Sequence, residues 1–268
     1  MNKYVKNNAE WVRLYDNTVE IEKVEELVKK LNISKLQNLN IIDVGCGNGR
    51  STKWLHEMFP NSRITAIDIS QENIMYAKKK NELRNVHYIQ ADAFDFFSAP
   101  LVKEQYDLVF FCWSLFDMVS NYEQSEKTGK LTELITSVKK KLNVNGHIVV
   151  LQPTKGGDFE KLLSKFMPGS DDDYLLTHNF LKNSHFQGAE TPFPEKNTTD
   201  AIWSKFFCNR DQLYQGVTAI IMLETGENLD RVEFDNKFDK FLLEHELWKD
   251  GCYSLSDCVN LYYVSKGV

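Results

Sequence analysis

The chain has 268 residues and a mass of 31.2 kDa, with 42% hydrophobic, 12% aromatic and 26% charged residues. These proportions exclude a disordered or fibrous polypeptide and fit one large domain, or one domain with an insertion, whose core needs neither disulfides nor a structural metal. A net charge of -6 and a pI of about 5.6 count against a constitutive binder of nucleic acid or anionic membrane, because such surfaces need basic excess to release counterions.

Five cysteines, Cys46, Cys112, Cys208, Cys252 and Cys258, are odd in number and show no CxxC spacing. They predict reduced thiols in a cytoplasmic protein rather than a disulfide framework or a tetrahedral zinc site. The amino terminus, MNKYVKNNAEWVRLYD, carries no apolar signal region, and no run approaches the roughly 20 apolar residues of a membrane span.

In chain order, Val19, Ile21, Val24, Leu27, Val28 and Leu31 recur with the period of an amphipathic helix, predicting an amino-terminal helical segment over residues 1–37. Asn40 to Val44 reads as a strand running into glycines, and Arg50 to Phe59 as the helix after it, closed by Pro60. Arg63 to Asp68 reads as a strand, Gln71 to Lys80 as a helix, Val86 to Gln90 as a strand, and Tyr106 to Cys112 as a strand without a polar face. A helix from Ser125 to Leu142 and a strand from His147 to Leu151 follow. This alternation predicts a doubly wound α/β unit with a parallel sheet, occupying residues 38–152.

Beyond Gln152-Pro153 the alternation stops. Residues 153–215 are rich in polar turns and aromatic residues and are expected to form an insertion with short helices over one rim of the sheet. Residues 216–268 are expected to return to the sheet, with Val217 to Leu223 or Arg231 to Phe234 as one strand, Phe234 to Trp248 helical, and Val259 to Val264 as the last strand.

The segment with the most chemistry is Asp43-Val44-Gly45-Cys46-Gly47-Asn48-Gly49. Glycines at alternate positions let the backbone turn sharply and approach a ligand with no Cβ in the way, and the following helix offers unpaired N–H groups. A dinucleotide fingerprint would place its third glycine where Arg50 stands, which counts against a nicotinamide-dependent oxidoreductase. No G-K-[ST] follows for a phosphate-cradling loop either. Asp68, in Ile67-Asp68-Ile69, stands where a carboxylate can accept both hydroxyls of a ribose, and Asp92-Ala93-Phe94 suits an adenine amino group and ring. With Cys112-Trp113-Ser114-Leu115, all four segments fall at the carboxyl ends of consecutive strands, where open α/β sheets bind ligands.

Together, D-V-G-C-G-N-G, Asp68, A-D-A-F and D-L-V-F-F-C-W-S-L-F make residues 38–152 resemble the class I S-adenosylmethionine-dependent methyltransferases. The resemblance implies a seven-stranded, mostly parallel sheet with S-adenosylmethionine as cofactor. It sets Asp43, Gly45, Cys46, Gly47, Asn48 and Gly49 against the methionine moiety, Asp68 and Ile69 at the ribose, Asp92 and Ala93 at the adenine, and Cys112 and Trp113 near the methyl group. Similar enzymes often hold the methionine carboxylate with a residue of the amino-terminal segment, which makes Arg13 the candidate here; an ordinary solvated arginine is the alternative.

The acceptor is narrowed by absence. The Asn/Asp-Pro-Pro-Tyr/Phe clamp of enzymes that methylate nucleic-acid amines and the Pro-Cys dipeptide of cytosine C5 enzymes are both missing, so no nucleic-acid partner is expected. Lys78 to Lys80 and Lys139 to Lys141 read as solvated helix faces. Many similar small-molecule enzymes carry a histidine where this chain has Phe116-Asp117, which leaves Asp117 as the candidate base or amine-orienting group, with helix capping as its other reading. Pockets for small organic molecules are lined by aromatic side chains with few polar anchors, so Trp11, Tyr15, Tyr122, Trp203, Phe206 and Phe207 are the candidate substrate-binding residues. Asp171 to Asp173 reads as an acidic turn and no metal is expected. The expected activity is methyl transfer to oxygen or nitrogen of a small molecule. The alternatives are a protein or peptide acceptor and a non-catalytic cofactor-binding protein.

Overall fold

The computed structural model describes residues 18–19, 38–100, 104–154, 156–167, 172–183, 187–189, 203–249 and 251–266. The elements in chain order are β1 Thr18–Val19, β2 Asn40–Val44, α1 Arg50–Met58, β3 Arg63–Asp68, α2 Gln71–Lys80, β4 Val86–Gln90, α3 Ala93–Ser98 and β5 Tyr106–Cys112. They continue with α4 Gln124–Lys140, β6 Leu142–Thr154, α5 Asp158–Ser164, α6 Asp172–Asn183, β7 Gln187–Ala189, β8 Trp203–Phe207, α7 Arg210–Thr225, α8 Arg231–Glu244, β9 Trp248–Lys249 and β10 Cys252–Ser265. The expected amino-terminal helix meets the described residues only at Thr18 and Val19, which form a two-residue strand instead. The elements gather into two compact units, one of residues 21–152, 173–191 and 260–268, the other of residues 1–20, 153–172 and 192–259.

The first unit holds a six-strand, mostly parallel sheet in the order β10-β6-β5-β2-β3-β4. The β6-β5, β5-β2, β2-β3 and β3-β4 pairs are parallel. Lys266, just past β10, exchanges backbone hydrogen bonds with Asn145 and Gly146 near the start of β6, so β10 runs against its neighbour. β7 pairs antiparallel with β10 through Ala189 opposite Leu261 and Gln187 opposite Tyr263. Strand order reverses between β2 and β5, and at such a switch point the two connections leave toward opposite faces and open a crevice at the carboxyl ends.

Burial explains why the inner strands have no polar face. Ile42, Val44, Val109, Phe111, Ile148 and Val150 pack beneath Leu131, Leu134, Ile135 and Val138 of α4. Each such side chain contributes about 1.5–3 kcal/mol on burial. β6 begins five residues before the expected strand: Tyr106 faces Leu142, but Leu108 faces His147, and Asn145 takes a left-handed φ of 62° inside this irregularity.

In the second unit, β8 pairs antiparallel with β1 and β10, and β9 with β10. Here the carboxyl-terminal expectation is overturned, because Val217 to Leu223 and Arg231 to Phe234 are helical. A short apolar run cannot distinguish strand from buried helix by pattern alone, and the caps decide. Asn209 accepts from the N–H of Gln212, and Gly226 closes α7 in the left-handed conformation; Leu213, Val217, Ile220 and Ile221 then lie on one buried face. Asp230 caps α8 by accepting from the N–H of Glu233, and Phe234, Phe238 and Phe241 follow at helical spacing, all buried. The last strand is also longer than expected, from Cys252 to Ser265 rather than Val259 to Val264.

Candidate active site

The glycine loop and the strand ends around it lie within the first unit. β2 ends at Val44, and the chain then passes through Gly45, Gly47 and Gly49 with φ of 72°, 53° and 80°, the left-handed region that glycine enters without steric cost. The N–H groups of Gly45 and Cys46 both donate to the carbonyl of Ile67, at 2.8 and 2.9 Å, tying the loop to the end of β3. A Cβ on Gly45 would stand 2.5 Å from the Ser114 Cβ, and one on Gly49 would stand 2.7 Å from the Asn81 side-chain nitrogen. Around Gly47 the same construction meets nothing within 4 Å, so the loop presents an open face at its centre.

Asp68 faces that loop. One carboxylate oxygen accepts from the N–H of Gly47 at 2.9 Å; the other accepts from the N–H of Ser70 at 2.9 Å and the Asn73 amide at 3.2 Å. Burial raises its pKa against these hydrogen bonds. The oxygen on the Gly47 side keeps capacity for a ligand hydroxyl. Ile69, half-buried, follows it and accepts at its carbonyl from Gln90.

Asp43 lies beneath the loop, fully buried. Ser51 and Thr52 donate to one of its oxygens at 2.7 and 2.6 Å, while the other oxygen has no protein partner. Desolvation pushes its pKa up to about 6. A buried carboxylate oxygen left unmatched is costly, and a water molecule or a ligand group completes it.

On the β5 side, Trp113 takes a left-handed φ of 56° and donates its N–H to Leu151 at 2.7 Å, a strained turn that sets the indole at the rim. Ser114 donates its hydroxyl to the carbonyl of Val44 at 2.6 Å and so fastens the β5 exit against the glycine loop. Cys46 and Cys112 are buried, which raises the Cys46 thiol and pushes Cys112 up to about 12; both stay protonated and offer the site a neutral surface, not a nucleophile. Arg50 reaches over this edge, its guanidinium 4.9 Å from the Trp54 ring centroid and 6.0 Å from that of Trp113. Gln152, near the carboxyl end of β6, is buried with neither amide atom hydrogen-bonded.

Asp92 caps α3, accepting from the N–H groups of Phe94 and Asp95 with one oxygen. Ala93 is buried behind it, and Phe94 meets Tyr122 edge to face at 6.0 Å with the Lys130 ammonium over both rings. Asp117 opens a short 3-10 turn, Asp117–Val119, and is half-buried. The structure therefore brings together Asp43, Gly45, Cys46, Gly47, Asn48, Gly49 and Asp68 around one loop, with Cys112 and Trp113 on the adjoining strand exit. Asn48 orders the start of α1 by accepting from the N–H of Arg50.

The other sequence-predicted residues fall in the second unit or outside the described residues. Phe207 is packed in the core of the second unit, 6.3 Å from Phe159 in a stacked arrangement. Trp203 and Phe206 are strand residues of β8 in that unit. Trp11, Arg13 and Tyr15 lie outside the described residues. Ser51, Thr52, Asn73 and Asn81 position the loop and its acids but carry no sequence signal, since single hydroxyl and amide residues form no pattern, and Ser114 enters only as part of the Cys112 to Leu115 segment. In the sequence pattern Arg50 stands only where a glycine is missing, and Gln152 only at a boundary.

Among the described residues no group of three or more His, Cys, Asp or Glu side chains is placed to hold a metal, and no helix is long and apolar enough to cross a membrane. An amino-acid-bearing nucleoside fits this donor set: the open face at Gly47 admits its chain, the unmatched Asp43 oxygen suits an ammonium group, and Asp68 suits ribose hydroxyls.

Comparison with known proteins agrees. The chain is similar to malonyl-[acyl-carrier protein] O-methyltransferase of Acetivibrio thermocellus, 37% identical over 97 residues, which cover 35% of this chain and 33% of the relative. It is similar to trans-aconitate 2-methyltransferase of Acidovorax sp. (strain JS42), 42% identical over 71 residues, 26% of this chain and 25% of the relative. The match thus spans a third or less of the length of these curated relatives. The crystal structure of protein BH2331 from Bacillus halodurans C-125 superposes with a TM-score of 0.51 at 16% identity over 91% of this chain and 99% of that one, a likeness of fold. Residues 35–201, more than half of the chain, match the family model described as a methyltransferase domain, and the chain belongs to the class I S-adenosylmethionine-dependent methyltransferases.

Proposed function

We propose that the protein transfers a methyl group from S-adenosylmethionine to an oxygen or nitrogen of a small molecule, and that a carboxylate oxygen is the favoured acceptor. The observation that carries the reading is the pairing, at one switch point, of the open glycine face with the buried carboxyls of Asp43 and Asp68. When bound, the cofactor supplies a methyl sulfonium, so the protein has to align the acceptor, exclude water and remove a proton only where the acceptor carries one. A carboxylate needs no base at neutral pH, which suits a rim where Phe116-Asp117 replaces a histidine. The names of the two curated relatives, acting on malonyl and aconitate groups, support an acid as acceptor. On this reading Arg50 lends positive charge at the rim and Gln152 gives its amide to the acceptor. The short strand β7 completes a seven-stranded sheet, and Tyr122 borders the acceptor.

The test is transfer of labelled methyl across a panel of small carboxylic acids, amines and phenols. Label in an acid, released as methanol by alkali because the product is an ester, is expected. Label confined to added proteins would replace this reading with the protein-acceptor one, and binding of S-adenosylhomocysteine without transfer to any acceptor would favour a silent binder. The Gln152→Met variant is expected to keep or gain thermal stability, since it removes two unmatched buried polar atoms, yet to lose about tenfold in kcat/KM. Unchanged kcat/KM would dismiss Gln152 from the site.

Asp43 predicts a pH dependence. Its folded-state pKa of about 6 lies above the unfolded 3.8, so its contribution to stability is fully present below 3.8 and is lost as pH rises through about 6. Ionised, it is the form that pairs with a ligand ammonium. S-adenosylhomocysteine is therefore expected to bind more tightly as pH rises, by up to about tenfold per unit below the Asp43 pKa, levelling above it. Asp68, also raised, acts in the same direction. Calorimetric titration of the native chain and of Asp43→Asn separates the two, and an identical slope in both would remove Asp43 from the ammonium site.

A further inference from the structure

The second unit carries a pair of thiols unrelated to the cofactor loop. In the antiparallel β8-β10 pair Phe207 faces Tyr253, and continuing that register by one residue sets Cys208 opposite Cys252. Side chains alternate across a strand, so where Phe207 turns into the unit's core the next residue turns outward. Cys208 is exposed and Cys252 half-buried, with their sulfurs 3.8 Å apart although 44 residues separate them in sequence. A disulfide needs sulfurs near 2 Å and Cα atoms within about 7 Å, a spacing that directly opposed antiparallel residues satisfy.

We propose that Cys208 and Cys252 form a reversible redox-modification site, closed to a disulfide by a low-molecular-weight disulfide such as oxidised glutathione. The Cys208 thiol, the more accessible, loses its proton to solvent, and its sulfur attacks the small disulfide, forming a mixed disulfide and releasing one small thiolate. The Cys252 thiolate then attacks the Cys208 sulfur, forming the cross-strand bond and releasing the second small thiolate. The two protons lost by the cysteines match the two taken up by the released thiolates, and the two electrons pass from the protein pair to the reagent. The bond ties the end of β8, immediately before the Asn209 cap of α7, to the start of β10, and closes a loop of about 45 residues.

The test treats the full native chain with excess oxidised glutathione, blocks remaining thiols with iodoacetamide and maps the peptides by mass spectrometry. Expected are a peptide linking Cys208 to Cys252, loss of two of the five titratable thiols, reversal by dithiothreitol and a thermal midpoint several degrees higher in the oxidised form. In Cys252→Ser, glutathione is expected to remain on Cys208, because the resolving thiol is gone. Persistent glutathione on Cys208 in the native chain, a link to any other cysteine, or a linked peptide only after denaturation would overturn the proposal. Cys208→Ser, still folded by its circular dichroism spectrum, is expected to retain all its remaining thiols; loss of two would also overturn it.

Discussion

Asp68→Ala is expected to weaken S-adenosylhomocysteine binding by roughly 100-fold, which combines one charge-assisted hydrogen bond to a ribose hydroxyl, at about 1.5–3 kcal/mol, with the loss of the loop anchor. The carboxyl also anchors the N–H groups of Gly47 and Ser70, so part of the loss comes through a loosened loop. Asp68→Asn separates these contributions. The amide still accepts from the backbone, but it lacks the charge and offers one acceptor oxygen instead of two, and a loss nearer tenfold is expected. Because Asp68→Ala also leaves the N–H donors of Gly47, Ser70 and Asn73 without their acceptor, its thermal midpoint is expected to fall as well, so affinity is compared at a temperature where the variant is folded. Unchanged calorimetric affinity in Asp68→Ala would displace the ribose from this residue.

The second large effect concerns the loop glycines, which the structure divides by role. Gly45→Ala forces a Cβ to within 2.5 Å of the buried Ser114 side chain and holds an L-residue at φ 72°. Left-handed strain of about 1–2 kcal/mol and overpacking of about 1–3 kcal/mol both apply, so the variant is expected to lose several kcal/mol of stability along with most cofactor binding. Gly47→Ala meets no protein atom within 4 Å and carries only the strain. Its stability is expected to fall by about 1–2 kcal/mol, while its Cβ occupies the open face and lowers S-adenosylhomocysteine affinity at least tenfold. Denaturant unfolding and calorimetry on the two variants check the contrast. Equal losses of affinity and stability in both would mean that Gly47 does not face the ligand.

What was legible in the sequence followed from strong local rules. β2, β3, β4, β5, α1 and α2 were readable because each is an apolar run or an amphipathic stretch bounded by glycine, proline or a cap, and the glycine loop has few uses other than close ligand approach. The expected penultimate strand is misplaced because Val217 to Leu223 is equally apolar as strand or helix, and the caps Asn209 and Gly226 lie too far from its centre to be weighed with it. The short β7, three residues inside a polar stretch, has no local signature and exists through its pairing with Leu261 to Tyr263. Around the glycine loop, residues tied to a motif are legible in the sequence, whereas those defined by long-range geometry are not. Ser114 reaches Val44 across 70 residues of chain, and Asn81 reaches the Asn48 and Gly49 carbonyls across more than 30. Phe207 packs in the core of the second unit, since aromatic pattern alone does not distinguish pocket lining from core.

The central claim is that the methyl group goes to a small molecule. The most direct measurement incubates the full chain with methyl-labelled S-adenosylmethionine and a cell extract divided by ultrafiltration into small-molecule and macromolecular fractions. The account predicts enzyme-dependent, alkali-labile label in products of the small-molecule fraction, abolished in Asp68→Ala. Label acquired only by the macromolecular fraction would contradict it, and alkali-stable label in every small-molecule product would remove the carboxylate as the acceptor.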